Sequence, residues 1–195
     1  MKRIGTHWYK ALFAGMILLA LGCNGDPCSD TDCGTFGTCS EVSDEALCIC
    51  DTGYEPDDEG RCEIRSASRY EGTWTATETC VDQNNQTSTQ TYSVVITSSS
   101  DTTQLTRIFL SNLGNFDCQP NVVGTISRSS LTIAEATYCV EVDNMGNLID
   151  PGVQFSTSTG RLEATNDTLN LSYEAVFEEN GVAQSKACEV FLVKE

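Results

Sequence analysis

Residues 168–177 read Thr-Leu-Asn-Leu-Ser-Tyr-Glu-Ala-Val-Phe, "TLNLSYEAVF". Leu169, Leu171, Tyr173, Ala175 and Phe177 fall on one side of this stretch, and Thr168, Asn170, Ser172 and Glu174 on the other. Successive side chains of a β-strand point to opposite faces, so the stretch reads as a strand with one buried face. The same rhythm runs through "GTWTATETC" (72–80), "TYSVVITS" (91–98), "LTRIFLS" (105–111) and "NVVGTIS" (121–127). It continues in "LTIAEATYCV" (131–140), "GVQFSTS" (152–158) and the closing "KACEVFLVK" (186–194). Turn-forming residues separate them: Asn84-Asn85, Asn115, Arg128-Ser129, Asn144 to Asn147, Asn166-Asp167 and Asn180-Gly181. About eight strands joined by short turns predict an all-β, antiparallel up-and-down barrel over residues 70–195, with a sandwich as the alternative. Large and small residues alternate on the inward faces, as in Trp74 with Ala76 and Tyr173 with Ala175. That mixture predicts a lumen packed with side chains.

The first of these strands begins Gly72-Thr73-Trp74. Gly-x-Trp at the start of an eight-stranded barrel resembles the lipocalins and the small lipocalin-like domains of bacterial lipoproteins. The resemblance implies that Trp74 plugs the closed end beside a basic residue of the last strand, a place Lys194 can fill. Trp74 is therefore a candidate for ligand contact or for core packing. Phe109, Phe116, Tyr138, Phe155, Tyr173, Phe177 and Phe191 fit either packing or a pocket wall.

Upstream of the barrel the composition changes. Leu, Ile, Val and Phe are scarce between residues 24 and 63, while Cys28, Cys33, Cys39, Cys48, Cys50 and Cys62 crowd into that span. A stretch of under about 40 residues buries too little apolar surface to fold unaided, so covalent closure is needed. Six cysteines alone allow 15 connectivities. The order of gaps, with Cys48-Ile49-Cys50 followed by Gly53-Tyr54 and Cys62, resembles an epidermal-growth-factor-like (EGF-like) module at residues 26–63. The resemblance implies Cys28–Cys39, Cys33–Cys48 and Cys50–Cys62. Some members bind calcium ahead of the first cysteine, but here Pro27 stands where that pattern needs a carboxylate or amide. Calcium requires six or more oxygens, which this stretch does not supply. A polar linker, 64–69, joins the two modules.

Four further cysteines, Cys80, Cys118, Cys139 and Cys188, leave three pairings open. In a closed barrel the first and last strands are neighbours, which favours Cys80–Cys188 and leaves Cys118–Cys139.

The chain holds eleven cysteines, so one has no internal partner. Residues 1–10 carry Lys2, Arg3 and Lys10 and no acid, and residues 11–21 are uncharged. A positive start, a short apolar run and small residues predict a signal peptide over 1–22. Gly22-Cys23 at its end resembles the lipobox of bacterial lipoproteins, although Ala20 and Leu21 stand where that family prefers Leu and a small residue. The resemblance implies cleavage before Cys23, acylation of Cys23 and a tether at residues 23–25. It also implies membrane attachment through the lipid anchor, and Asn24 fits the outer membrane, facing the periplasm or the cell surface. An ordinary signal peptide and a secreted chain is the alternative.

The 195 residues carry a net charge of −17, with 11 Lys and Arg against 28 Asp and Glu. Such a chain repels nucleic-acid phosphates, which sets DNA and RNA aside as partners. The single histidine, His7, lies in the predicted signal peptide, so the remaining chain has no imidazole base or imidazole metal ligand. Paired cysteines in an exported chain read as structural disulfides and not as zinc ligands. The acids read as scattered over turns and strand edges, with no cofactor motif. These features predict a non-enzymatic surface lipoprotein without cofactor or metal, in which an EGF-like spacer presents a barrel for protein interaction or adhesion. The alternative is a carrier with a small hydrophobic ligand in the lumen.

Overall fold

Period-two alternation has become strands throughout the structure, a computed structural model that describes residues 26–195. The expected signal peptide, Cys23 and the tether lie outside the described residues. Two compact units are present, residues 26–32 with 39–47 and residues 33–38 with 48–195. In the first, Cys28 is bonded to Cys39. In the second, Cys33–Cys48 and Cys50–Cys62 staple the N-terminal part. Residues 37–65 form two small hairpin sheets. One pairs β1 (Gly37–Val42) with β2 (Glu45–Cys50), the other β3 (Tyr54–Pro56) with β4 (Cys62–Arg65). Phe36 stacks on Tyr54 with ring centroids 3.8 Å apart. Among residues 26–63, only the half-cystines Cys33 and Cys62 are fully buried hydrophobics, so the disulfides stand in for a core.

Ser66–Arg69 form a 3-10 turn that enters the barrel, and Ala67 already belongs to its core. The segment is tied down by side chains. Arg65 Nη2 donates to the Ser99 carbonyl at 2.7 Å, and Arg69 bonds both Glu55 and the Asn166 side chain.

Eight strands close the barrel: β5 (Gly72–Asp82), β6 (Thr87–Ser98), β7 (Arg107–Ser111), β8 (Asn121–Ser127), β9 (Ser130–Ile133), β14 (Ser158–Leu162), β15 (Thr168–Glu179) and β16 (Val182–Lys194). Each pairs antiparallel with the next, and β16 returns to β5 with Cys188 opposite Cys80 and Leu192 opposite Ala76. Cys80–Cys188 and Cys118–Cys139 are the disulfides of this region.

Two stretches that read as single strands are broken. After β9 the chain resumes as β10 (Ala136–Tyr138), and β13 (Val153–Phe155) precedes β14. β10 pairs with β13, and β13 with the upper half of β15, so both breaks extend the wall at one end. Between them, β11 (Glu141–Val142) and β12 (Leu148–Asp150) form a separate exposed hairpin. The turns behave as their residues dictate. Asn85, Asn115, Arg128, Asn166 and Asn180 all hold positive φ, a conformation that Asn tolerates better than most residues.

Inside, side chains fill the lumen. Trp74, Val94, Ile96, Ile108, Leu110, Ile126, Leu131, Ile133, Leu162, Leu169 and Leu192 are all fully buried in one cluster. Gly124 is also inward, and a Cβ there would lie 2.5 Å from Leu131 Cδ1. The space of the missing side chain is therefore already taken by its neighbour. At the closed end Trp74 donates from Nε1 to the Tyr70 carbonyl at 2.8 Å, and Lys194 Nζ lies 5.5 Å from the indole ring. Lys194 also donates to the Arg69 carbonyl, so the last strand is pinned to the entry turn.

Candidate functional site

The inward positions of β5 are Trp74, Ala76, Glu78 and Cys80. Strand parity therefore drives one carboxylate into the barrel, and Glu78 is completely buried. This corrects the reading of the acids as lying only at turns and strand edges. An ionised carboxylate is costly to bury unless donors surround it, and here they do. Glu78 accepts from Tyr92 Oη at 2.5 Å, Tyr173 Oη at 2.6 Å and Gln90 Nε2 at 2.8 Å. Lys186 Nζ stands 3.5 Å away, with its side chain 16% exposed.

The donors come from β6, β15 and β16, and the loop between β7 and β8 completes the arrangement. Gly114 donates its N–H to Tyr92 Oη and receives Lys186 Nζ at its carbonyl, while Asn115 Nδ2 donates to Gln90 Oε1. The Lys186 ammonium also sits 4.3 Å from the centre of the Phe116 ring and 5.8 Å from that of Phe177, which stabilises the cation through the ring quadrupole. Phe116 and Phe177 in turn belong to a chain of edge-on and tilted ring contacts with Phe155, Tyr138 and Tyr173. Above lies an open hollow of about 440 Å³, lined by Asn115, Phe116, Asp117, Phe177, Glu178 and Glu179.

Glu78 Oε1 lies 3.1 Å from Cys80 Sγ, and the carboxylate and the sulfurs of Cys80 and Cys188 come within 4.8 Å of one another. That spacing would suit a metal ion if the sulfurs were thiolates. Both are committed to one disulfide, so they offer no thiolate, and thiolate is the ligand form of cysteine. The carboxylate itself is saturated with donors. The group is a structural bar across the barrel.

Burial, and then the negative charge of Glu78, push the hydroxyls of Tyr92 and Tyr173 well above the ordinary tyrosine range. Burial raises Tyr70 to about 12, reinforced by Glu55 and opposed by Arg69. These groups hold their protons more tightly folded than unfolded. Their contribution to stability is therefore complete below about pH 10 and falls as pH rises from there through 12. Alkaline titration followed at 295 nm should show Tyr70, Tyr92 and Tyr173 ionising only together with loss of the folded circular-dichroism signal. Ionisation of all the tyrosines near pH 10 in a folded chain would contradict this burial.

Trp74 is remote from this mouth and belongs to the closed end. Phe109 and Phe191 face outward: Phe109 lies under the Arg107 guanidinium, and Phe191 is 47% exposed. Glu78, Gln90, Tyr92 and Lys186 were not singled out from the sequence. A legible signal existed, because Glu78 and Lys186 share the parity of the apolar residues in their strands.

A second feature lies on the outer wall. Two depressions of about 660 and 790 Å³ share Thr79, Thr159, Ser172 and Glu189, and so form one trough across β9, β14, β15, β16 and β5. No family model matches the chain, and no curated protein is significantly similar to it.

Proposed function

We propose that this chain is a non-enzymatic interaction protein of the cell envelope. It is anchored by lipid on Cys23 in the outer membrane and carries a barrel on an EGF-like stem at residues 26–63. The observation that carries the reading is the filled lumen. A barrel that carries a hydrophobic ligand needs a connected apolar cavity of about 300 Å³ or more. Here the lower lumen is packed with buried aliphatic side chains, and the Glu78 cluster bars the upper part. Chemistry at Glu78 is disfavoured for the same reason, since its oxygens are already engaged and sealed from solvent. What remains for contact is the outside of the barrel. Cysteine parity supports the anchor: ten cysteines form five disulfides, which leaves Cys23 over.

Two measurements test this. Cys23→Ser should move the protein from the membrane to the soluble fraction, and a wild-type chain found soluble with Cys23 unmodified would sink the anchor. Titration of the detergent-solubilised chain with a long-chain fatty acid should leave Trp74 fluorescence unchanged. Saturable quenching would favour a carrier, with the mouth hollow as the way in.

A further inference from the structure

We propose that the outer-wall trough binds a neutral oligosaccharide. The strand register places its side chains in straight cross-strand rows. One row runs Thr132, Thr159, Ser172, Glu189, Thr79, each directly opposite the next. The adjacent row runs Ser130, Arg161, Asn170, Phe191, Thr77. All ten side chains point outward and are exposed. Four inter-strand steps of about 4.8 Å give a trough roughly 19 Å long, which suits a short oligosaccharide better than a single ring.

The chemistry of the rows matches that of a sugar. A pyranose presents neighbouring hydroxyls around its edge and a patch of C–H groups on its face. The hydroxyls need closely spaced donors and acceptors, which Asn, Arg, Glu, Ser and Thr provide. The C–H face carries slight positive charge and packs on the negative face of an aromatic ring. Phe191 is that ring, flanked in its own row by Asn170 and Thr77. The side chains of Thr159, Arg161, Ser172 and Glu189 make no hydrogen bond to other described residues, so their polar groups are available. Asn170 is held by Glu163, Nδ2 to Oε1 at 3.1 Å, which fixes its amide while leaving its oxygen free.

Other occupants fit less well. Stable protein interfaces have a charge-depleted apolar centre, whereas the two rows contain one large apolar side chain. A polyanionic saccharide would meet Glu189, the neighbouring Glu174 and a chain of net charge −17, against the single Arg161. The site needs neither the lipid nor the membrane, so its failure would leave the anchored-module reading standing.

Affinity electrophoresis of the detergent-solubilised full chain tests the proposal. Native gels would contain mannan, laminarin, dextran or galactomannan as neutral probes, and heparin or polygalacturonate as acidic ones. At least one neutral polysaccharide should retard the protein and neither acidic one should. Phe191→Ala and Ser172→Tyr should each weaken that retardation about tenfold or more in apparent Kd. Val193→Ala, also exposed on β16, should not. All three sites face solvent, so thermal melts should stay close to wild type and separate loss of binding from loss of fold. Retardation by none of the neutral probes, equal retardation by heparin, or wild-type binding by both trough variants would overturn the proposal.

Discussion

Glu78→Ala is expected to destabilise the barrel by about 3–5 kcal/mol, the cost of breaking a buried charge pair from one side. The substitution strips the shared acceptor from Tyr92, Tyr173 and Gln90 and removes the counter-charge of Lys186, leaving the ammonium only the Gly114 carbonyl and the Phe116 and Phe177 rings. Lys186 is not wholly sealed, so its escape toward solvent should hold the loss at the lower end of that range. Glu78→Gln keeps the volume and one acceptor, and should cost about 1–3 kcal/mol. The double variant Glu78→Met with Lys186→Met removes both charges and should recover most of the loss, because apolar replacement of a buried pair is often neutral or better. Urea unfolding followed by Trp74 fluorescence gives all three values. An alanine variant within about 1 kcal/mol of wild type would show that the cluster does not hold the mouth together.

Reduction of the disulfides should act very differently on the two ends of the chain. Cys28–Cys39, Cys33–Cys48 and Cys50–Cys62 close loops with separations of 11, 15 and 12 residues. Each contributes about 3 kcal/mol in the chain-entropy account, in a stretch with almost no buried apolar surface. Residues 26–62 should therefore lose protection from hydrogen exchange entirely in dithiothreitol. The barrel bond Cys80–Cys188 spans 108 residues and is worth at most about 4.7 kcal/mol. Its loss should lower the barrel Tm by roughly 10–20 °C without unfolding it. The β16–β5 ladder runs from Lys186 opposite Asp82 to Lys194 opposite Trp74 and closes the ring by itself. Loss of exchange protection in β5 and β16 together with residues 26–62, in one transition, would refute this division.

Much of the fold was legible because its causes are local. Alternation in "TLNLSYEAVF" follows from the strand pleat, and the Asn turns follow from tolerance of positive φ. The crowding of six cysteines into a stretch poor in Leu, Ile, Val and Phe follows from the need to replace a core. The same local signal carried the inward parity of Glu78, between Ala76 and Cys80. What it could not carry was the partners. Tyr173 and Lys186 stand 95 and 108 residues from Glu78, and the Ser130–Thr77 row draws one side chain from each of five strands. The breaks after Ile133 and Phe155 were equally hidden, since pairing partners and not residue types place them. By itself the sequence determined the alternation of buried and exposed positions along the long strands and the Asn-marked turns between them, because each depends on a few neighbouring residues. Only the tertiary structure decided which inward and outward side chains meet. Cross-strand register is set collectively by hydrogen bonds and packing along whole ladders, and a one-residue slip would reassign every contact at once.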